Sequence, residues 1–166
     1  AILVGDPPVI GFEQHDHHAC IATSVAEAER RCAAEGLRLT DIRRRVLEIL
    51  LDRHKAMGAY DILEVLSAEG LGHQPPVAYR ALDFLVANGF AHKIERLNAF
   101  VACGHPSGDC APAFLICRGC EKVAEAQAIP NEGALGASAS AAGFVIERAV
   151  VEAVGLCPDC QAGNTA

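Results

Sequence analysis

The chain has 166 residues and a formal net charge of −7, with 51% hydrophobic, 21% charged and 5% aromatic side chains and no tryptophan. That apolar content excludes a disordered polymer, and the length suits one globular domain or two small ones. No run reaches the ~18 uninterrupted apolar residues of a membrane span.

The opening AILVGDPPVI carries no positive charge and is broken by Asp6, Pro7 and Pro8. It reads poorly as a secretory signal, so the expected location is the cytoplasm. Residues 1–20 form an expected disordered, acidic tail, whose His15, Asp16, His17, His18 and Cys20 read as an adventitious metal-binding tract rather than a built site. Ser24 with Glu27 makes a capping box for a first helix, with Val25, Ala28 and Cys32 on one face and Gly36 as its stop. Thr40 caps a second helix, in which Ile42, Val46, Ile49 and Leu50 recur at helical spacing while Arg43, Arg44 and Arg45 point largely elsewhere. A third helix is predicted over residues 60–68. Pro75 and Pro76 open a fourth, with Ala78, Leu82, Leu85 and Val86 as its apolar set and Asn88-Gly89 as its end. Strand-like runs at 90–96 and 99–103, joined at Leu97-Asn98, read as a hairpin. Helices followed by a hairpin is the order of a winged helix-turn-helix.

GHPSGDCAP is short, polar and rich in Gly and Pro, which marks residues 104–112 as a hinge. Beyond it, strands are predicted at 114–117, 122–127 and 144–154, with an Ala-rich helix at 131–142. The fold class is therefore α+β: a winged-helix domain over 21–103, a small α/β domain over 113–160 and a tail at 161–166. Some 50 residues make a poor independent core, so the second domain calls for an oligomer interface and a staple.

Cys117-Arg-Gly-Cys120 and Cys157-Pro-Asp-Cys160 supply the staple. Two CxxC turns offer four thiolates, which is a closed tetrahedral set for structural Zn²⁺. A thioredoxin-like dithiol is disfavoured, because that motif should open a helix and few residues remain after Cys160. His92, Cys103, His105, Cys110 and Glu125 are further candidates, distributed on both sides of the hinge. Mixed imidazole, thiolate and carboxylate donors favour Zn²⁺ over Mg²⁺ or Ca²⁺. Cys32 reads as core.

The runs Ala59-Tyr60-Asp61-Ile62-Leu63-Glu64-Val65-Leu66, Pro75-Pro76-Val77-Ala78-Tyr79-Arg80-Ala81-Leu82 and Gly89-Phe90-Ala91-His92-Lys93-Ile94-Glu95, together with the two CxxC pairs, resemble the ferric uptake regulator family, and its zinc-responsive branch most. The resemblance covers about residues 21–160. It implies a homodimeric, zinc-sensing transcriptional repressor of zinc-uptake genes that binds double-stranded operator DNA, and it is not an enzyme. It further implies a structural site of Cys117, Cys120, Cys157 and Cys160, and a regulatory site of His92, Cys103, Glu125 and a fourth ligand. Cys110 is the expected fourth ligand and His105 the alternative, giving two Zn²⁺ per chain. The helix from Pro75 becomes the recognition helix, with Arg80 as base reader, Tyr60 and Tyr79 as phosphate or methyl contacts, and Arg43 on the backbone. Where the family has Pro-Thr-Val-Tyr-Arg, this chain has Pro76-Val77-Ala78-Tyr79-Arg80, which removes one hydroxyl near the DNA. Asp41 adds a negative charge there.

Iron or another metal as the effector is the alternative within the family. A cytosolic zinc buffer and a thiol or zinc enzyme are the alternatives from other classes. A catalytic zinc needs an open coordination position, which four protein ligands do not leave. The net charge does not exclude DNA, because it averages three unlike regions. Residues 1–20 carry −3, residues 21–103 balance 11 basic against 11 acidic side chains, and residues 104–166 carry −4.

Overall fold

The computed structural model describes residues 17–53, 55–104, 112–127, 132–147 and 149–163. Four helices come first: α1 (His17–Glu35), α2 (Asp41–Asp52), α3 (Ala59–Ala68) and α4 (Pro75–Ala87). Thr40 caps α2, its hydroxyl accepting from the Arg43 amide at 3.4 Å, and the Asp61 carboxylate closes the start of α3 by accepting from the Gly58 amide at 3.1 Å. Gly36 and Gly89 adopt φ of 68° and 74° where α1 and α4 end, a conformation that a side chain would strain.

α1 begins before the expected cap at Ser24, which is an interior position of that helix. The capping box fails because residues 17–23 contain no Gly or Pro and continue the helix, and Thr23 spends its hydroxyl on the Ala19 carbonyl one turn back. Cys32 is buried, as its place on the apolar stripe predicts, and belongs to one core with Val46, Leu50, Ile62, Leu66 and Leu82.

The wing is the antiparallel pair β1 (Ala91–Ile94) and β2 (Ala99–Ala102), closed by a turn with Asn98 at φ 46°. Met57 exchanges two backbone hydrogen bonds with Phe100 (2.9 and 2.8 Å) and so ties the segment before α3 to the outer strand. The second half is a three-stranded sheet of β3 (Pro112–Cys117), β4 (Val123–Gln127) and β5 (Val151–Gly155) in the order β4-β3-β5. β3 pairs antiparallel with β4 and parallel with β5, with α5 (Gly133–Ala141) in the crossover. The expected hinge thus stops one residue early, because Pro112 is already paired with Gln127; residues 105–111 lie outside the described residues.

The long strand expected from residue 144 is reduced to β5. β3 offers a ladder of only five pairs, from Ala113↔Val151 to Cys117↔Gly155, and apolar residues beyond it have no strand to pair with. Phe144 and Val145 consequently stand 66% and 79% exposed, and with Leu135, Val150, Val151 and Val154 they leave an apolar surface on this half uncovered. The two halves are joined by a small buried cluster of Ile94 from the wing with Phe114, Ile116 and Val123 from the sheet. A backbone bridge between Lys55 and Lys122 joins them a second time. No helix among the described residues is long and apolar enough to cross a membrane.

Candidate metal centres and nucleic-acid interface

Cys117 ends β3 and starts a tight turn: the Glu121 amide donates to the Cys117 carbonyl and the Cys117 amide to the Lys122 carbonyl, both at 2.9 Å. Cys157 follows β5 and caps the short helix α6 (Pro158–Gln161), on which Cys160 sits. The second CxxC pair therefore does open a helix after a strand, contrary to the expectation used against a redox reading. The deciding feature is that the first pair lies beside it. All four sulfurs lie within 4.8 Å of one another, and Cys120 and Cys157 are 3.7 Å apart. Four thiolates at ~2.3 Å from one Zn²⁺ stand about 3.8 Å from each other in a tetrahedron, so the four sulfurs are spaced such that they could hold one metal ion. A disulfide would need ~2.05 Å. A Cβ at Gly119 would fall 3.0 Å from the Cys160 sulfur, which makes glycine the residue that lets the turn close over the site.

The electrostatics fit a cation. Amides of Cys157 and Cys120 aim at the Cys117 sulfur and pull its pKa down to about 6, while burial and the neighbouring Cys157 thiol push Cys160 up to about 12. One sulfur is held ready as a thiolate. Burial and the neighbouring thiols push Cys120 and Cys160 the other way, toward the protonated form, which a divalent charge would offset.

The second cluster joins the halves. His92 lies on β1, Cys103 directly after β2, and Glu125 on β4; their ligand atoms are all within 4.8 Å of one another. Glu125 is buried, a placement that an ionised carboxylate tolerates only with partners, and it accepts from the Gly104 amide at 2.8 Å. His92 Nε2 is buried without a hydrogen-bond partner among the described residues. Burial lowers the His92 pKa, offset in part by the Glu125 carboxylate, so the ring is the neutral imidazole that a metal ligand requires. Phe114 packs against it with ring centroids 5.6 Å apart. A buried imidazole beside a thiol and a buried carboxylate is a donor set that Zn²⁺ suits. Cys110 and His105, the two candidates for a fourth ligand, lie outside the described residues, as do His15 and Asp16. His18 and Cys20 are exposed on the first turn of α1 and join no such cluster among the described residues.

On the helical side, α4 buries Ala78, Ala81, Leu82 and Leu85, which leaves Tyr79 and Arg80 on its outer face. Tyr60, at the start of α3, is 68% exposed. Arg80 has no hydrogen bond or ion pair among the described residues. The three arginines of α2 are, by contrast, held by the protein. Arg43 stacks on Phe84 at 3.8 Å and donates to the Arg38 carbonyl. Arg44 pairs with Glu29, and Arg45 grips Glu69 through two hydrogen bonds of 2.8 and 2.7 Å and Glu48 through one of 2.9 Å. The sequence gives no sign of these pairings, which join α2 to α1, α3 and α4. Nor does it mark Glu152, a half-buried residue of β5 whose carboxylate reaches across to the wing.

No family model matches the chain. It is 38% identical over 139 residues to the zinc uptake regulation proteins of Escherichia coli (strain K12) and Shigella flexneri, a match spanning 82% of this chain and 80% of each of those. Its fold is similar to that of a zinc uptake regulator complexed with zinc and DNA (TM-score 0.79, 36% identity, 88% of this chain and 98% of that one). It is also similar to holo XcZur (TM-score 0.75, 43% identity, 84% and 98%).

Proposed function

The chain belongs to the zinc uptake regulators of the ferric uptake regulator family, and from that premise we propose how its own residues sense zinc and hold DNA. The protein is a zinc-responsive, DNA-binding transcriptional repressor and not an enzyme. Cys117, Cys120, Cys157 and Cys160 hold one Zn²⁺ that staples β3 to the end of β5, since a sheet this small lacks the core to stand alone. His92, Cys103 and Glu125, with Cys110 or His105, hold a second. Bound there, zinc cross-links the wing to the C-terminal sheet, and two ions per chain follow.

The observation that carries this reading is the His92 ring, whose Nε2 is buried without a partner among the described residues and which meets the Cys103 thiol of the wing and the Glu125 carboxylate of the C-terminal sheet. A buried polar atom without a partner costs about 1–3 kcal/mol, and a ligand recovers that. The wing is joined to α4 directly: the Phe90 amide donates to the Leu85 carbonyl at 2.8 Å, and the Cys103 amide to the Phe90 carbonyl at 2.9 Å. Fixing the wing therefore fixes α4, whose Arg80 and Tyr79 meet the major groove while Tyr60 contacts the backbone. Arg43, kept flat on Phe84, retains free N–H edges for a phosphate. The similarity in backbone arrangement to a relative bound to zinc and DNA supports this geometry. The uncovered apolar surface around β5 and α5 is the homodimer face, which pairs two recognition helices on one operator. Control of zinc-uptake genes and a cytoplasmic location complete the reading.

A zinc-buffered titration of fluorescent promoter DNA from zinc-uptake genes tests it. Wild-type protein gains DNA affinity with zinc, Cys103→Ser and Glu125→Ala do not, and whichever of Cys110→Ser and His105→Ala loses the response names the fourth ligand. Equal response to Fe²⁺ at cellular concentrations overturns the choice of metal. Zinc-independent DNA binding in the wild type overturns the sensing role.

A further inference from the structure

Zinc is not the only thing that holds the wing to the sheet. β1 is four residues long, and the C-terminal sheet grips it at both ends. At one end stands His92 with the metal-ligating cluster. At the other, Glu152 of β5 accepts from two successive backbone amides, Glu95 at 2.7 Å through Oε1 and Arg96 at 3.1 Å through Oε2. Those amides belong to the turn beyond Ile94↔Ala99, where the hairpin ladder ends, so no strand partner serves them. Between the two grips lies Ile94, fully buried against Phe114, Ile116 and Val123. Glu152 also sits opposite Phe114 in the β3–β5 register, and Phe114 is the ring packed on His92. A strand held at one end pivots about it, whereas one held at both ends has a fixed direction.

We propose that Glu152 is a metal-independent latch for the wing, a positioning residue that sets the zinc concentration at which the protein takes up DNA. It rests on the zinc-sensing function proposed above. The carboxylate contributes to the docked arrangement whether or not the metal cluster is filled, so it shifts the docked–undocked equilibrium on which zinc then acts. By linkage, weakening the latch raises the zinc required without changing the affinity of the fully loaded protein for DNA. Loss of two charge-assisted hydrogen bonds at a half-exposed site corresponds to about a fivefold change in that equilibrium.

The test compares wild type, Glu152→Ala and Glu152→Gln in zinc-buffered DNA titrations, with zinc content and sedimentation measured on the same samples. The expected result is a zinc midpoint raised about fivefold in Glu152→Ala and less in Glu152→Gln, whose amide keeps one acceptor oxygen. DNA affinity at saturating zinc, zinc content and oligomeric state stay as in the wild type. Hydrogen exchange supplies a second arm: with the His92 site emptied, the Glu95 and Arg96 amides are protected in the wild type and exchange faster in Glu152→Ala. An unchanged midpoint, unchanged exchange at those amides, or a loss of dimer or of bound zinc in both variants overturns the latch. If the wild type itself binds DNA without regard to zinc, the sensing function has failed instead, and the exchange arm still decides whether Glu152 holds the wing.

Discussion

Replacing His92 by leucine should separate stability from function with opposite signs. The imidazole carries a buried nitrogen without a hydrogen-bond partner among the described residues, which costs about 1–3 kcal/mol in the protein whose interdomain site is empty. Leucine is close in volume and leaves no polar atom behind. It forfeits the ring contact with Phe114 at 5.6 Å, worth about 0.5–1.5 kcal/mol. The balance is a gain of about 1 kcal/mol, or roughly 2–4 °C in Tm for a chain of this size. With zinc the order reverses: free zinc at 100 times Kd adds about 2.7 kcal/mol to the wild type and nothing to the variant at that site. Differential scanning calorimetry of both proteins, first carrying only the zinc of the cysteine knot and then zinc-saturated, reads the two differences. The reasoning is refuted if His92→Leu melts below the wild type in the first state, or if zinc still raises its Tm in the second. A functional residue kept at a cost to stability is the expected signature of a ligand site.

The remaining predictions concern the knot and the helices. Cys160→Ser should lose the knot's zinc, measured by metal analysis, and with it the strand signal of the C-terminal sheet in circular dichroism. Gly119→Ala should surrender that zinc faster to a colorimetric chelator, because the new Cβ meets the Cys160 sulfur at 3.0 Å. Because burial and neighbouring thiols hold Cys160 protonated up to about 12, zinc uptake at neutral pH should release protons and tighten as pH rises, which a weakly buffered titration with an indicator dye records. Arg80→Ala should weaken binding to operator DNA by about 1–3 kcal/mol, read by fluorescence anisotropy, with zinc content unchanged. Arg43→Ala should cost stability as well as DNA affinity, since its guanidinium covers Phe84; thermal melts distinguish it from Arg80→Ala, which should melt as the wild type does.

Helical periodicity located α2, α3 and α4 because each buries one face in a common core, and that periodicity is a local property of the chain. It misjudged the start of α1, where capping residues lie within a run that can continue as helix, and the length of β5, where β-branched residues lack a neighbouring strand. The paired CxxC motifs likewise carried their chemistry in plain view, since two tight turns bearing thiols need only meet. The arginines were less legible. Arg43, Arg44 and Arg45 read only as side chains pointing away from the apolar face, with Arg43 expected on the DNA backbone, yet the fold stacks or pairs each of them against a helix distant in sequence.

By itself, then, the sequence determined the helices of the first half, the order of strands after them, the paired cysteine turns and the identity of the exposed Tyr79 and Arg80, because spacing and residue type act over a few neighbours. The family resemblance had already grouped His92, Cys103 and Glu125; the tertiary structure brings them within reach of one another, and it alone decided that a His92 nitrogen is buried without a partner among the described residues and that Glu152 clasps the far end of the same strand. Those relations join a hairpin to a sheet formed later in the chain. They depend on how the two halves pack through Ile94 and Phe114, and no local pattern encodes that packing.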